Sequence, residues 1–308
     1  MYDTVNFWID MANISGDNPF EILPYLSEIK EQQDEKSGYS CTGKAGDYLI
    51  YIAENGISLI GSLAKYHLGN NIDTLTLHSS KQAIERISDH LHTNIKKAKV
   101  TRLDVSTVIP TKRPPAEYYN YLGNKPYFER LQATKDTLYY NNHMRKVVFY
   151  DKTKETKNIN ISMPEIFENN NLFRYELRYT KRITKQLKQV VTGETLTDKV
   201  FYRNIIDNWY NEFKSIQKIK NHKIMIDDIT SLKAAKETLF AYLLQEKGQS
   251  IIDEFLSELK TSKQFNNRSD YTKLKSDLNK MIVSKNGNKN ELMQELEKKI
   301  FTYAKYAL

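Results

Sequence analysis

The residues of this chain best suited to chemistry lie in three short stretches. "KVVFYDKTKE", residues 146–155, ends an apolar run on Tyr150 and follows it with Lys152 and Lys154 at alternate positions. "TRLD" carries Arg102 and Asp104, and "RYELR" carries Arg174, Glu176 and Arg178. On a strand, residues two apart share a face, so each stretch presents its polar groups together. Mid-strand carboxylates are unusual, because a strand inside a domain buries at least one side and unpaired charge there is costly. Two acids from different strands, a tyrosine and several cations would make a compact phosphoryl-transfer site. Asp104 and Glu176 would hold a hard divalent ion that polarises a phosphate oxygen. Tyr150 would attack phosphorus and form a covalent phosphotyrosine, with nearby lysines lowering its pKa and offsetting charge on the phosphate. Each stretch alone also suits a plainer role: an ion pair at 102 and 104, a salt-bridged strand face at 174–178, and a core tyrosine with its hydroxyl at the edge.

The elements that must position these residues are legible from periodicity. "YDTVNFWID" has strand composition, and "GDYLIYIAENGISLIGSL" predicts a hairpin turned at Glu54-Asn55-Gly56. "SSKQAIERISDHLHTNIKKA" predicts a helix capped by Ser79 or Ser80, with Ala83, Ile84, Ile87, Leu91 and Ile95 at helical spacing. "KVTRLDVSTVI", "TLYYNN", "HMRKVVFYDK" and "NLFRYELRYT" read as strands, and the proline-rich "PTKRPPAEYYNYLG" must begin as a loop. After about residue 182 five segments with helical periodicity follow, from "VFYRNIIDNWYNEFKSIQ" to "NELMQELEKKIFTYAKYA". "VTGETLTDK" is the expected hinge. The class is α+β: a catalytic unit over 1–190 and an all-helical unit over 195–308 for DNA binding or self-association.

Composition narrows the partners. The chain has 308 residues, 40% apolar and 27% charged, as expected of a soluble globular protein. One cysteine, Cys41, excludes a disulfide framework and a multi-cysteine zinc site. No apolar run is long enough to span a bilayer, and "MYDTVNFWIDMAN" lacks the features of a signal peptide, so the expected location is cytoplasmic. The net charge of +8 is uneven: residues 1–100 hold 9 Lys/Arg against 13 Asp/Glu, whereas residues 101–200 hold 18 against 11. Such asymmetry favours a polyanion, most often nucleic acid. Phosphate contacts are expected from Lys65 in "GSLAKYHLGNN" and from Lys181, Arg182, Lys185 and Lys188 in "YTKRITKQLKQ", with Arg102, Arg174 and Arg178 nearer the chemistry. The loop "TKRPPAEYYNYLGNKPYFER" mixes cations with aromatics, as single-strand binding grooves do.

Taken in order, "GSLAKYHLGNN", "TRLDVSTVI", "TLYYNNHMRKVVFYDKTKE" and "LFRYELRYTKRI" resemble the filamentous-phage replication initiators of the gene II/X family. They are more distantly similar to the trans-acting initiators of rolling-circle plasmids. The resemblance covers roughly residues 40–185. It implies an antiparallel-sheet endonuclease of the rolling-circle type that nicks one strand of a phage or plasmid double-stranded origin. The enzyme stays attached to the 5′ phosphate, while the free 3′-OH primes synthesis. Carried onto this chain, it makes Tyr150 the nucleophile, Lys152 its companion, and Asp104 and Glu176 the carboxylates for magnesium or manganese. The implied partners are origin DNA and its single-stranded product, with a host helicase and polymerase; the chain has no Walker-type loop. A homodimer is compatible with this reading. "HLH", His90 and His92, mimics a metal motif of the wider endonuclease superfamily, but on a helix residues two apart diverge by about 200° and cannot easily share one ion. Two rivals are a control protein that binds DNA on the same scaffold without chemistry, and an RNA-binding protein with stacking tyrosines.

Overall fold

The computed structural model describes residues 1–14, 18–34, 38–158, 167, 170–221, 231–247, 250–282 and 288–307. One antiparallel sheet of ten strands dominates: β1 Tyr2–Asp10, β2 Ser27–Asp34, β3 Gly38–Ala45, β4 Tyr48–Ala53, β5 Gly56–Gly61, β6 Lys99–Thr111, β7 Glu129–Thr134, β8 Thr137–Asn141, β9 Arg145–Asp151 and β10 Asn171–Tyr179. Their order is β2-β3-β4-β5-β1-β6-β10-β9-β8-β7. The hairpin turns at Glu54-Asn55, and Gly56 takes a φ of 149° where a Cβ would collide with the Ile9 carbonyl. Strand β6, 13 residues long and rich in β-branched side chains, joins β1 on one side to β10 on the other. This pairing brings "TRLD" beside "RYELR".

Alternation then sorts the side chains. Leu103, Val105 and Ile109 of β6 enter the main core with Phe173, Tyr175, Leu177 and Tyr179 of β10. Their neighbours Arg102, Asp104 and Ser106, with Arg174, Glu176 and Arg178, take the opposite face. The core face is covered by helices. α1 is Leu63–Leu68 and α2 is Leu77–His90. The expected cap at Ser79 or Ser80 lies at Thr76 instead. Thr76 Oγ1 accepts the Ser79 N–H and Ser79 Oγ accepts the Thr76 N–H, so the pair satisfies two orphan donors and starts the helix earlier. The proline-rich loop contains α3, Pro115–Tyr119, whose Tyr118 and Tyr119 are buried against Phe173. Those tyrosines are core residues, not a stacking surface.

Further helices are α4 Lys152–Asn158, α5 Ile183–Leu187, α6 Lys199–Lys214, α7 Leu232–Lys247, α8 Ser250–Thr261, α9 Arg268–Ile282 and α10 Glu291–Tyr306. The hydrophobic core does not stop at residue 190. Phe201, Tyr202, Ile205, Ile206, Trp209 and Phe213 of α6, and Met293, Leu296 and Ile300 of α10, belong to the same core as the sheet. The ring of Trp209 stacks on Tyr175 with centroids 4.5 Å apart, and the Tyr175 hydroxyl donates to the Trp209 carbonyl at 2.6 Å. The segment expected to be a hinge is stitched to the sheet. Val100 N–H donates to Val191 O at 2.8 Å and Gly193 N–H to Ala98 O at 3.0 Å. Among the described residues α7 to α9 gather around a satellite cluster of their own, with Ile219, Ile252 and Leu256 at its centre. No helix among the described residues is long and apolar enough to cross a membrane.

Candidate active site

Antiparallel register places the expected residues on one face. Arg178 lies opposite Asp104 and Glu176 opposite Ser106, while on the other side of β10 Arg174 lies opposite Tyr150. Tyr150, Asp104, Glu176, Arg174 and Arg178 therefore converge, although up to 74 positions separate them in sequence. The Tyr150 hydroxyl donates to Glu176 Oε1 at 3.0 Å. The Arg174 guanidinium sits 5.9 Å from the phenol ring centroid and donates through Nε to the same Oε1 at 2.7 Å. Arg178 Nε donates to Glu176 Oε2 at 2.7 Å. Asp104 is gripped by Arg102, whose Nε and Nη2 reach its two oxygens at 3.0 and 2.6 Å. Tyr150 lines a cleft of about 580 Å³ together with Tyr139, Val148, Lys154, Glu155 and Arg178.

The lysines are arranged differently from a shared strand face. Strand β9 ends at Asp151, whose Oδ1 accepts the Lys154 N–H at 3.0 Å and so caps a new helix beginning at Lys152. An aspartate at the end of an apolar strand, followed by the polar run Lys152–Asn158 with no apolar side chain, is the sequence signal for that switch. Helical geometry separates the two side chains. Lys152 is buried, donating to Asn71 Oδ1 at 2.9 Å and pairing with Glu155, with its ammonium 6.0 Å from the Tyr150 ring centroid. Lys154 is exposed and pairs with Asp136. The cation that opposes burial at the phenol is Arg174.

Three residues that sequence reading passed over complete the arrangement. Asp3, from β1, accepts Arg174 Nη2 at one oxygen and the Ser62 hydroxyl, at 2.8 Å, at the other. Ser106 accepts from Arg174 Nη2 at 2.8 Å, and the Asn71 carbonyl accepts from Arg174 Nη1. Arg174 is thus fully buried with every face engaged. Neither Asp3 nor Asn71 carries a local signature, because their partner lies more than 100 residues away.

Electrostatically the two acids differ. Burial alone would raise the Glu176 carboxyl, but Arg174 and Arg178 overcome it and hold its pKa well below the ordinary carboxylate range. At Asp104 burial prevails over Arg102 and pushes the pKa up to about 6, with Glu176 adding repulsion. Burial also raises the Tyr150 phenol, against Arg174 and with help from Glu176, Glu155 and Asp3. Lys152 is lowered by burial and by Arg174.

These donors bear on the expected metal. Glu176 is fully compensated by two guanidiniums and has no demand for a further cation. Asp104 is under-compensated, and its partner Arg102 is 35% exposed at the side chain. Asp104 therefore fits a divalent ion only if Arg102 lets go. Among the described residues no group of three or more His, Cys, Asp or Glu is placed to hold a metal.

The remaining expected residues form no hydrogen bond or ion pair with this cluster among the described residues. His90 ends α2 with Nδ1 3.0 Å from the Tyr66 hydroxyl, and His92 packs against Tyr25 with ring centroids 4.3 Å apart. Lys65 belongs to the first turn of α1, where its N–H is taken by Ser62 Oγ at 3.2 Å rather than left for phosphate. Lys181, Arg182, Lys185 and Lys188 are exposed on and around α5, directly after the strand that carries Arg178.

The fold and the site together are a ten-stranded antiparallel sheet that carries an arginine-braced tyrosine on its polar face. The family model for the N-terminal part of the replication-associated gene II protein matches residues 1–212. The chain belongs to that family, the gene II type of filamentous-phage replication initiator, and is a replication-initiation protein. Comparison with curated proteins gives no match.

Proposed function

We propose that the chain is an origin-nicking endonuclease and strand transferase of the rolling-circle type, with Tyr150 as nucleophile. The observation that carries this reading is the Tyr150 phenol, oriented by Glu176, faced by Arg174 and opening into a cleft beside Arg178. In the proposed step Tyr150 Oη attacks phosphorus, its proton leaves to solvent, and the bond from phosphorus to the 3′ oxygen breaks. That oxygen takes a proton to become the 3′-OH, and the 5′ phosphate stays on the tyrosine. Glu176 holds the hydroxyl in line. Held well below the ordinary carboxylate range by Arg174 and Arg178, it is too weak a base to carry the proton away. Arg174 favours the phenolate, and Arg178 favours the charge developing on phosphate.

Magnesium or manganese belongs to this proposal at Asp104, once an incoming phosphate draws Arg102 away. The ion would neutralise a phosphate oxygen there. Lys181, Arg182 and Lys185 would hold flanking phosphates. Origin duplex and its single-stranded product are the proposed substrates, and unwinding is left to a host helicase.

The test is incubation with supercoiled DNA carrying the cognate origin and magnesium, followed by analysis for a protein-linked 5′ end. The wild type should form the adduct. Tyr150→Phe should form none while still binding the origin. An adduct on the Phe variant would move the role to Tyr139, which lines the same cleft, and not to Tyr140, whose hydroxyl is committed to the Gly123 carbonyl at 2.6 Å.

A further inference from the structure

A second cationic surface lies at the edge of the sheet, and the nicking step makes no use of it. Strand β7 ends the sheet. With α8, α9 and the turn between those helices it encloses a cavity of about 860 Å³. Around this groove Lys260, Lys263 and Arg268 are exposed, and Lys275 is half-buried. These first three form no ion pair among the described residues. Phe265 is 36% exposed and meets Tyr271 edge to face, with centroids 4.9 Å apart. The acids in the groove do not cancel this charge. Asp253 is already paired with the buried Arg130, which leaves Glu129.

The groove also adjoins the Tyr150 cleft. Leu131, half exposed, lines the groove; Tyr139 lines the cleft; and the two are direct partners across β7 and β8. Tyr139 lies one strand in from Leu131, about 5 Å across the sheet, so one backbone can touch both. An exposed aromatic ring set among cations suits unpaired bases, whose faces a duplex hides.

We propose that this groove binds single-stranded DNA continuing from the cleft, with phosphates on Lys260, Lys263 and Arg268 and a base stacked on Phe265. The proposal rests on the nicking reading for its direction, but its test reads binding alone. Full-length protein carrying Tyr150→Phe would be titrated against a labelled 20-nucleotide strand and against the matching duplex. Adding Phe265→Ala should weaken the single strand at least fivefold, since stacking is worth about 1–3 kcal/mol per base. The same change should alter duplex binding less than twofold. Replacing Lys260, Lys263 and Arg268 together with Gln should weaken the single strand at least tenfold. It should also flatten the slope of log affinity against log salt by about 2, at about 0.7 per lost phosphate contact. All four side chains lie at the surface, and an unchanged melting curve confirms the fold. A loss under fivefold for Phe265→Ala, an equal loss on duplex, or an unchanged salt slope would overturn the proposal. Failure of Tyr150 as nucleophile would leave these curves as they are, and loss of the groove would leave the adduct test intact.

Discussion

Ending the chain at Lys188 should abolish cooperative folding, not release a working catalytic unit. The truncation removes the six core side chains of α6, each at most 4% exposed. At about 1.5–3 kcal/mol for each fully buried side chain, the loss is about 9–18 kcal/mol, an upper figure because the unfolded chain is itself partly compact. Domains are stable by only about 5–15 kcal/mol. A graded version of the same perturbation is Trp209→Ala. Removing a buried Trp costs about 3–5 kcal/mol, and its stacking on Tyr175 adds about 0.5–1.5 kcal/mol. Tyr175 lies between Arg174 and Glu176 on β10, so the damage reaches the strand that holds the site. Urea unfolding followed by circular dichroism is the assay. The truncated chain should show no cooperative transition, and Trp209→Ala should lose about 4 kcal/mol with an unchanged slope. A truncated chain that unfolds cooperatively and cuts a single-stranded origin oligonucleotide would refute the reasoning, as would a Trp209→Ala loss below about 2 kcal/mol.

Three further outcomes follow from the charges. Asp104→Asn should lose metal-dependent cleavage without losing stability at pH 8. Its folded pKa of about 6 lies above the ordinary carboxylate value, so its contribution to stability is present at low pH and lost as pH rises through 6; urea midpoints at pH 5 and pH 8 check this. Glu295 ties α10 to the sheet by accepting from the Tyr118 hydroxyl at 2.7 Å, the Lys112 N–H at 3.1 Å and Lys299 at 2.6 Å. Burial would raise its pKa, but these donors hold it below the ordinary value. Glu295→Gln should therefore destabilise at neutral pH, and the gap should close as pH falls below the ordinary glutamate range; thermal melts against pH measure it. His90→Ala with His92→Ala should leave the metal dependence of nicking unchanged, because both rings pack on tyrosines; a shifted magnesium titration would count against it.

Much of the site was legible from local chemistry. Two-residue spacing puts Arg174, Glu176 and Arg178 on one face, and the order of the three charged stretches is itself enough to resemble the family. The hairpin at Glu54-Asn55 and the helices from Lys199 onward also followed from pattern. Local pattern misled where a capping side chain competed with strand continuation, as at Asp151, which turns Lys152 inward and Lys154 outward.

By itself the sequence determined the period of each element and the residues able to do chemistry, since both depend on neighbours within a few positions. Tertiary structure alone decided how their charges are balanced. Arg174 meets Asp3 across 171 positions, so no spacing records the contact that buries the guanidinium beside Tyr150. It likewise decided that α6 and α10 complete the core of the sheet. An amphipathic helix announces that it must bury one face, but not against what, and here the answer was the aromatic face of β10.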